Sequence, residues 1–306
     1  MPLLRNICIE RIASLGTFSV VYRNLESISW LDSKLCTRDL FTRIPNLKNL
    51  GIDDGFDENN IDCFYNCVHF EQLEKLSIKR SLHIHIPCYG TEWASFVPNL
   101  KKLKFYKTHL SWSDLTFIGM LPNLEVLKLK NAIARDARMW EASEEGFCKL
   151  KRLVIEDTYL ERWNAEGDNF PVLECLELHN CHCLQEIPSG FADIITLTLI
   201  WLKSCWDSVM TSAKLIQEEQ YNNYGNALHL GQLEKLIIKD LHLERIPGSG
   251  ISWITIVFFQ ILRRSPKIKF RGTNGLCFWV EVADWSFGLE YNESASGFVL
   301  AVGLLL

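Results

Sequence analysis

An α/β solenoid of about nine leucine-rich repeats is the fold this sequence predicts. A curved parallel β-sheet would line its concave face, with short helices and loops on the convex face. Three observations carry the prediction. First, a Leu-x-x-Leu-x-Leu pattern recurs along the chain. It reads Leu25/Ile28/Trp30, Leu47/Leu50/Ile52, Leu73/Leu76/Ile78, Leu100/Leu103/Phe105, Leu124/Leu127/Leu129, Leu150/Leu153/Ile155, Leu173/Leu176/Leu178, Leu197/Ile200/Leu202 and Leu233/Leu236/Ile238. Second, its starts lie 22, 26, 27, 24, 26, 23, 24 and 36 residues apart, the period of units that bury a core only by stacking. Third, four units open through proline at one phase: Pro45-Asn-Leu, Pro98-Asn-Leu, Pro122-Asn-Leu and Pro171-Val-Leu. Proline there ends the preceding segment and presets the turn into the strand.

The elements follow in order. Residues 1–24 are an N-terminal edge or cap, and 25–247 are the repeats. Each unit opens with a strand centred on its L-x-L pair, whose alternation sends both apolar side chains inward. Leu110, Leu115, Ile118 and Leu121 continue the core on the convex side, with helical spacing from Leu115 onward. Leu184 and Ile187-Pro188 do the same in extended or turn structure. Before the ninth unit, Val209, Ala213 and Ile216 predict a helix over 207–220 with Asp207 as N-cap, and residues 221–226 read as a loop. That helix is expected to cover the open end of the stack. Residues 248–306 carry no repeat. From 251 to 306 there are ten aromatics and nine charged residues, a tail expected to pack poorly or stay disordered.

Composition narrows the function classes. The net charge of −5 gives no bulk attraction to nucleic acid. Eleven scattered cysteines form no close-set disulfide framework, and Arg5, Glu10 and Arg11 interrupt any secretory apolar run. These features favour a reducing, cytoplasmic setting. No run reaches the roughly 18–20 apolar residues of a membrane span, so no stable insertion is expected. The apolar end, Gly297–Leu306, leaves a peripheral membrane contact as the weaker alternative to burial or disorder.

Chemical motifs are sparse. His179-Asn-Cys181-His182-Cys183 holds metal-type ligands, but neighbours on a strand and its turn point apart, and Cys181 fits a turn position that hydrogen-bonds the adjacent coil. Cys63-x-x-x-Cys67 lacks a second pair. The acidic run from Asp53 to Asp62 lacks calcium-loop spacing and reads as a solvated loop. No nucleophile elbow is present. No catalytic residue, metal or cofactor is expected.

Wording as well as period carries a resemblance. Residues 41–50 (Phe-Thr-Arg-Ile-Pro-Asn-Leu-Lys-Asn-Leu), 163–171 (Trp-Asn-Ala-Glu-Gly-Asp-Asn-Phe-Pro), 176–188 and 212–220 (ending Gln-Glu-Glu-Gln) are similar to the repeat region of plant nucleotide-binding leucine-rich-repeat resistance receptors. The group is the coiled-coil type resembling late blight resistance proteins. The resemblance covers a little over half the chain and implies immune surveillance with a hypersensitive defence response. It implies protein partners: a pathogen effector, a guarded host protein, or a nucleotide-binding switch domain held inactive by the repeats. Such receptors carry that switch and a coiled coil ahead of the repeats. This chain has no G-x-x-x-x-G-K-[ST] loop, so nucleotide binding does not carry over. A ubiquitin-ligase-type substrate adaptor, an extracellular receptor module and an inactive gene fragment are the alternative readings.

The expected binding surface is the concave face. Lys75, Lys79, Lys102, Lys104, Tyr106, Lys128, Lys130 and Arg152 fall at outward strand positions, with Glu156 the one acid of that set. Seven bases on one stripe of an acidic protein suit an acidic protein surface, or are an ordinary solvated face. No aromatic platform accompanies them, which disfavours nucleic acid. Glu177, His179, Trp201 and Lys203 form a second outward group, either an interaction hot spot or, for Trp201, packing under the 207–220 helix.

Overall fold

The computed structural model describes residues 4–7, 20–55, 72–81, 97–143, 146–225 and 228–233, with the backbone of four further strands between 268 and 301. The strands of the first unit, in chain order, are β1 (Asn6–Ile7), β2 (Ser27–Asp32), β3 (Asn49–Asp53), β4 (Lys75–Lys79), β5 (Lys102–Tyr106) and β6 (Val126–Lys130). They continue with β7 (Met139–Glu141), β8 (Arg152–Glu156), β9 (Arg162–Asn164), β10 (Cys175–His179), β11 (Leu199–Lys203) and β12 (His229–Leu233). Ten of these make one sheet in the order β1-β2-β3-β4-β5-β6-β8-β10-β11-β12, while β7 pairs with β9. Every neighbouring pair in the large sheet is parallel. Parallel neighbours need a crossover of a dozen or more residues, which each unit supplies.

The register is the one the leucines dictate. Leu76, Leu103, Leu127, Leu153 and Leu176 are successive Cα partners. All are buried. Full burial of such a side chain contributes roughly 1.5–3 kcal/mol, so a slip of one residue would forfeit the whole row.

Two local devices repeat with the strands. Before them, Leu47, Leu100, Leu124, Leu150, Leu173 and Leu197 each donate N–H to the carbonyl three residues back. Pro45, Pro98, Pro122 and Pro171 occupy the second position of four of these turns, where a fixed φ suits the geometry. After the strands, Arg80, Lys107, Asn131, Asp157, Asn180 and Ser204 all adopt left-handed backbone, with φ between 45° and 57°. The N–H of each of the first five donates to the last carbonyl of the next sheet strand, at 2.8–3.0 Å. That bond holds even Arg80 and Lys107 where Asn and Asp are better tolerated.

Behind the sheet the core is aromatic. Trp140 is stacked between Trp112 and Trp163, with ring centroids 5.0 and 4.8 Å away. Phe147 and Phe170 meet its edge at 6.4 and 5.9 Å. The short β7–β9 pair aligns Trp140 with Trp163. The Trp112 indole donates to the Ala137 carbonyl at 2.7 Å. Leu110, Leu115, Ile118 and Leu121 are buried as expected, the middle two on a helix spanning Asp114–Gly119. Leu184 and Ile187 are buried too, and Pro188 is extended at φ −53° and ψ 133°.

Residues 6–7 form a strand at the edge of the sheet, beside β2. Three expectations are corrected. In β2 the register shifts between Ile28 and Leu31, so Leu31 takes the inward place expected of Trp30. A bulge adds one residue and turns the next side chain to the other face. The strand that pairs with β11 is His229–Leu233, with Leu230 opposite Ile200, not a strand centred on Leu236 and Ile238, which lie outside the described residues. The helix spans Asp207–Tyr224, its N-cap is Trp206, and Gly225 ends it at φ 67°. Tyr221–Tyr224 are therefore helical and not loop. Val209, Ala213, Ile216 and Gln220 face inward, and Gln220 donates to the Ile194 carbonyl at 2.8 Å.

Residues 237–306 form a separate unit. Its described strands are β13 (Ile268–Gly272), β14 (Phe278–Val282), β15 (Trp285–Asn292) and β16 (Gly297–Ala301), paired antiparallel in succession. The expectation about tail packing concerns side chains outside the described residues.

Candidate protein-interaction face

The strand residues between the buried leucines lie on the other face of the sheet, in three rows fixed by register. The first runs Asn49, Lys75, Lys102, Val126, Arg152, Cys175 and Leu199. The second runs Gly51, Ser77, Lys104, Lys128, Val154, Glu177, Trp201 and Gly231. The third runs Asp53, Lys79, Tyr106, Lys130, Glu156, His179 and Lys203. All thirteen residues singled out from the sequence stand on this face, on six adjacent strands.

Their charges do not form one uniform stripe. Lys79 is 3.3 Å from the Asp53 carboxylate, which also accepts from Arg80 Nε at 2.8 Å. Asp53 is wholly buried, and Asp54 accepts from Ser81 Oγ at 2.8 Å. The start of the acidic run is thus a buried ion-pair site and not a solvated loop; residues 56–62 lie outside the described set. Burial by itself raises the Asp53 pKa, but the Arg80 hydrogen bond and the Lys79 and Arg80 charges bring it below the ordinary value. Lys130 donates to Glu156 at 2.8 Å. Burial works against its charge, and Glu156 more than restores it.

Glu177 is buried, not displayed. It accepts from Arg152 Nε at 2.7 Å, with a second Arg152 nitrogen also in contact. His179 lies 3.8 Å from its other oxygen, and the Cys175 thiol lies 3.6 Å away. Burial, with Glu177 second, pushes the Cys175 thiol up to about 12. Burial also lowers the His179 pKa, partly offset by Glu177 and Glu156. Glu177 therefore neutralises the Arg152 end of the basic set.

What remains is a lysine bank on β4, β5 and β6. Among the described residues, no carboxylate pairs with Lys75, Lys102 or Lys104. Lys104 and Lys128 are neighbours in the second row. Both have lowered pKa values. For Lys104 the cause is burial and then Lys130, partly offset by Glu156; for Lys128 it is burial and then Arg152, partly offset by Glu177, with Lys104 and Lys102 adding. Lysines held close and partly desolvated are stabilised by any anion that settles across them.

Two tryptophans stand on the same face farther along the sheet, on β2 and β11. Trp30, turned outward by the bulge, lies 3.9 Å beneath Lys79 Nζ. It sits beside Gly51, where an added Cβ would meet the Ser29 carbonyl oxygen at 2.3 Å. Trp201 lies flat over Gly231, where a Cβ would meet its ring at 2.3 Å. It faces away from Ile200 and Leu202, which share the core with the 207–224 helix, so it does not pack under that helix. Asp53, Arg80 and Trp30 were missed in sequence. The detectable signal was glycine at a strand centre, which marks a close approach by a neighbour.

Cys181 makes the turn contact expected of it, with Sγ 3.6 Å from the Ile155 carbonyl of the adjacent coil. Cys63 and Cys67 lie outside the described residues. No helix among the described residues is long and apolar enough to cross a membrane.

No family model matches the chain. Curated relatives do. Late blight resistance protein homolog R1B-13 of Solanum demissum is 41% identical over 211 residues, which is 66% of this chain and 17% of the relative. Homolog R1B-16 of the same species is 36% identical over 195 residues, 61% of this chain and 14% of the relative. Late blight resistance protein R1-A, also of Solanum demissum, is 35% identical over 216 residues, 66% of this chain and 16% of the relative. The chain thus spans less than a fifth of the length of these relatives. Over about two thirds of its own length, it is a homologue of the late blight resistance proteins.

Proposed function

We propose that this chain is a leucine-rich-repeat solenoid of plant disease resistance, acting by protein recognition and not by catalysis. Its lysine bank docks an acidic protein surface. The foremost partner is a nucleotide-binding switch domain, which the repeats hold inactive until an effector or a guarded host protein displaces it, leading to a hypersensitive defence response. The setting is cytoplasmic. The observation that carries this reading is the placement of Lys75, Lys102 and Lys104 on neighbouring strands where, among the described residues, no carboxylate pairs with them, while Lys79, Lys130 and Arg152 each have an acid of an adjacent strand. Neighbouring strands lie about 5 Å apart, inside a Debye length of about 8 Å, so the three act as one field. Such a patch speeds association and weakens with salt. Homology to resistance proteins supports the biological setting.

The test is a pull-down of an acidic nucleotide-binding domain from the same protein group at low and high salt. Wild type should bind at low salt and lose binding as salt rises, and Lys102→Glu/Lys104→Glu/Lys128→Glu should not bind. Equal binding by the reversed variant, or indifference to salt, would leave the face an ordinary solvated one.

A further inference from the structure

We infer that Cys181 and Cys205 form an oxidation site at which a hydroperoxide closes a disulfide between the turns that follow β10 and β11. The strands β10 and β11 end at the registered pair His179 and Lys203. The register continues into the turns, where Asn180 N–H donates to the Lys203 carbonyl at 2.8 Å. Asn180 and Ser204 then make the same left-handed step, with φ of 53° and 52°. Cys181 and Cys205 come next, so they leave equivalent positions of adjacent coils in the same direction. Adjacent strands are spaced about 4.7–4.9 Å, inside the roughly 4.4–6.8 Å between Cα atoms that a disulfide accepts.

Cys205 Sγ reaches back to the Leu178 carbonyl at 3.3 Å, into the coil that carries Cys181. Cys181 Sγ rests 3.5 Å from its own coil's His179 carbonyl and 3.6 Å from that of Ile155, so disulfide closure turns the Cys181 side chain toward Cys205. At the same phase the other described turns carry Ser81, Thr108, Ala132 and Thr158. Among the described residues, only here do two sulfurs occupy neighbouring turns. Cys181 is buried and Cys205 partly exposed, and both are free thiols. A hydrogen bond with Cys181 lowers the Cys205 pKa to about 7. The same bond and burial raise that of Cys181. Attacking and resolving sulfur are thereby distinguished, since the thiolate is the nucleophile.

The chemistry balances with one hydroperoxide. The Cys205 thiolate attacks a peroxide oxygen, the O–O bond breaks, and the departing oxide takes up a proton; with hydrogen peroxide it leaves as water. Sulfur is left as a sulfenic acid. Cys181 attacks that sulfur, the S–O bond breaks, the S–S bond forms, and the expelled hydroxide takes the Cys181 proton to leave as water. Each sulfur loses one electron and the peroxide gains two. The Asp157 carboxylate adds to the raised Cys181 pKa and need not react.

The experiment treats the full chain with hydrogen peroxide and maps tryptic peptides by mass spectrometry. Cleavage after Lys203 separates peptide 163–203, which holds Cys175, Cys181 and Cys183, from peptide 204–214, which holds Cys205. The two should appear joined and two hydrogens lighter than their sum, and dithiothreitol should separate them. Cys175→Ser/Cys183→Ser should keep the joined pair, and Cys205→Ser should lose it. Peptides that stay separate after peroxide, or that join only when Cys175 and Cys183 are present, would overturn the assignment. The double serine variant changes only partly exposed positions, so the outcome does not depend on Cys205→Ser folding.

Discussion

The two sides of the parallel sheet are built by the same strands and obey different rules. Behind it, Leu103, Leu127, Leu153 and Leu176 lie in one buried row against a stacked column of Trp112, Trp140 and Trp163. Each position there is fixed by volume. In front, the residue at each position is set by its neighbour on the next strand. Asp53, Glu156 and Glu177 each neutralise a base beside them, and the strands between carry lysine beside lysine. The back specifies the fold. The front carries Lys75, Lys102 and Lys104, with which no carboxylate pairs among the described residues, and on them the proposed docking rests.

Substitutions should sharpen that contrast. The largest effect belongs to the back: Trp140→Ala should lose about 3–5 kcal/mol in urea melts, because it opens the middle of the aromatic column. Leu127→Ala follows at about 2–5 kcal/mol, by opening a cavity between coils; a loss under about 0.5 kcal/mol would contradict the register. Asp53→Asn should lose about 1–3 kcal/mol, since Arg80 and Lys79 lose their shared carboxylate. Its pH dependence has a definite sign. The folded pKa of Asp53 lies below the ordinary value, so its stabilisation is complete above about pH 4 and fades as pH falls through the lower folded value. The gap between wild type and Asp53→Asn in thermal melts should therefore narrow on acidification. The smallest effect belongs to the bank: Lys104→Met should raise stability by about 0.2–1 kcal/mol, because it relieves a like-charge cross-strand pair.

Much of the back was legible in sequence, because burial leaves a period. The leucine register from the second to the eighth unit, the convex apolar positions and the proline-entered turns all follow from it. Trp30 was not legible, since a bulge costs one residue and leaves no compositional mark. The strand at His229–Leu233 was not legible, because it pairs through its backbone and carries no leucine template; Leu236 and Ile238 lie outside the described residues. The front was legible as a face but not as a circuit. Glu177 sits in the second row and Arg152 in the first, on neighbouring strands, and only a long side chain reaching diagonally joins them. The antiparallel strands near the C-terminus carry a period of two, as in Phe278, Val280 and Val282, which a search for leucine repeats passes over.

The most direct test of the front as a docking face combines stability and binding in one variant, Lys102→Met/Lys104→Met/Lys128→Met. Urea melts should show stability equal to or slightly above wild type, while binding to an acidic nucleotide-binding domain at low salt is lost. A clear loss of stability would make the lysines part of the fold, and retained binding would place recognition elsewhere on the molecule.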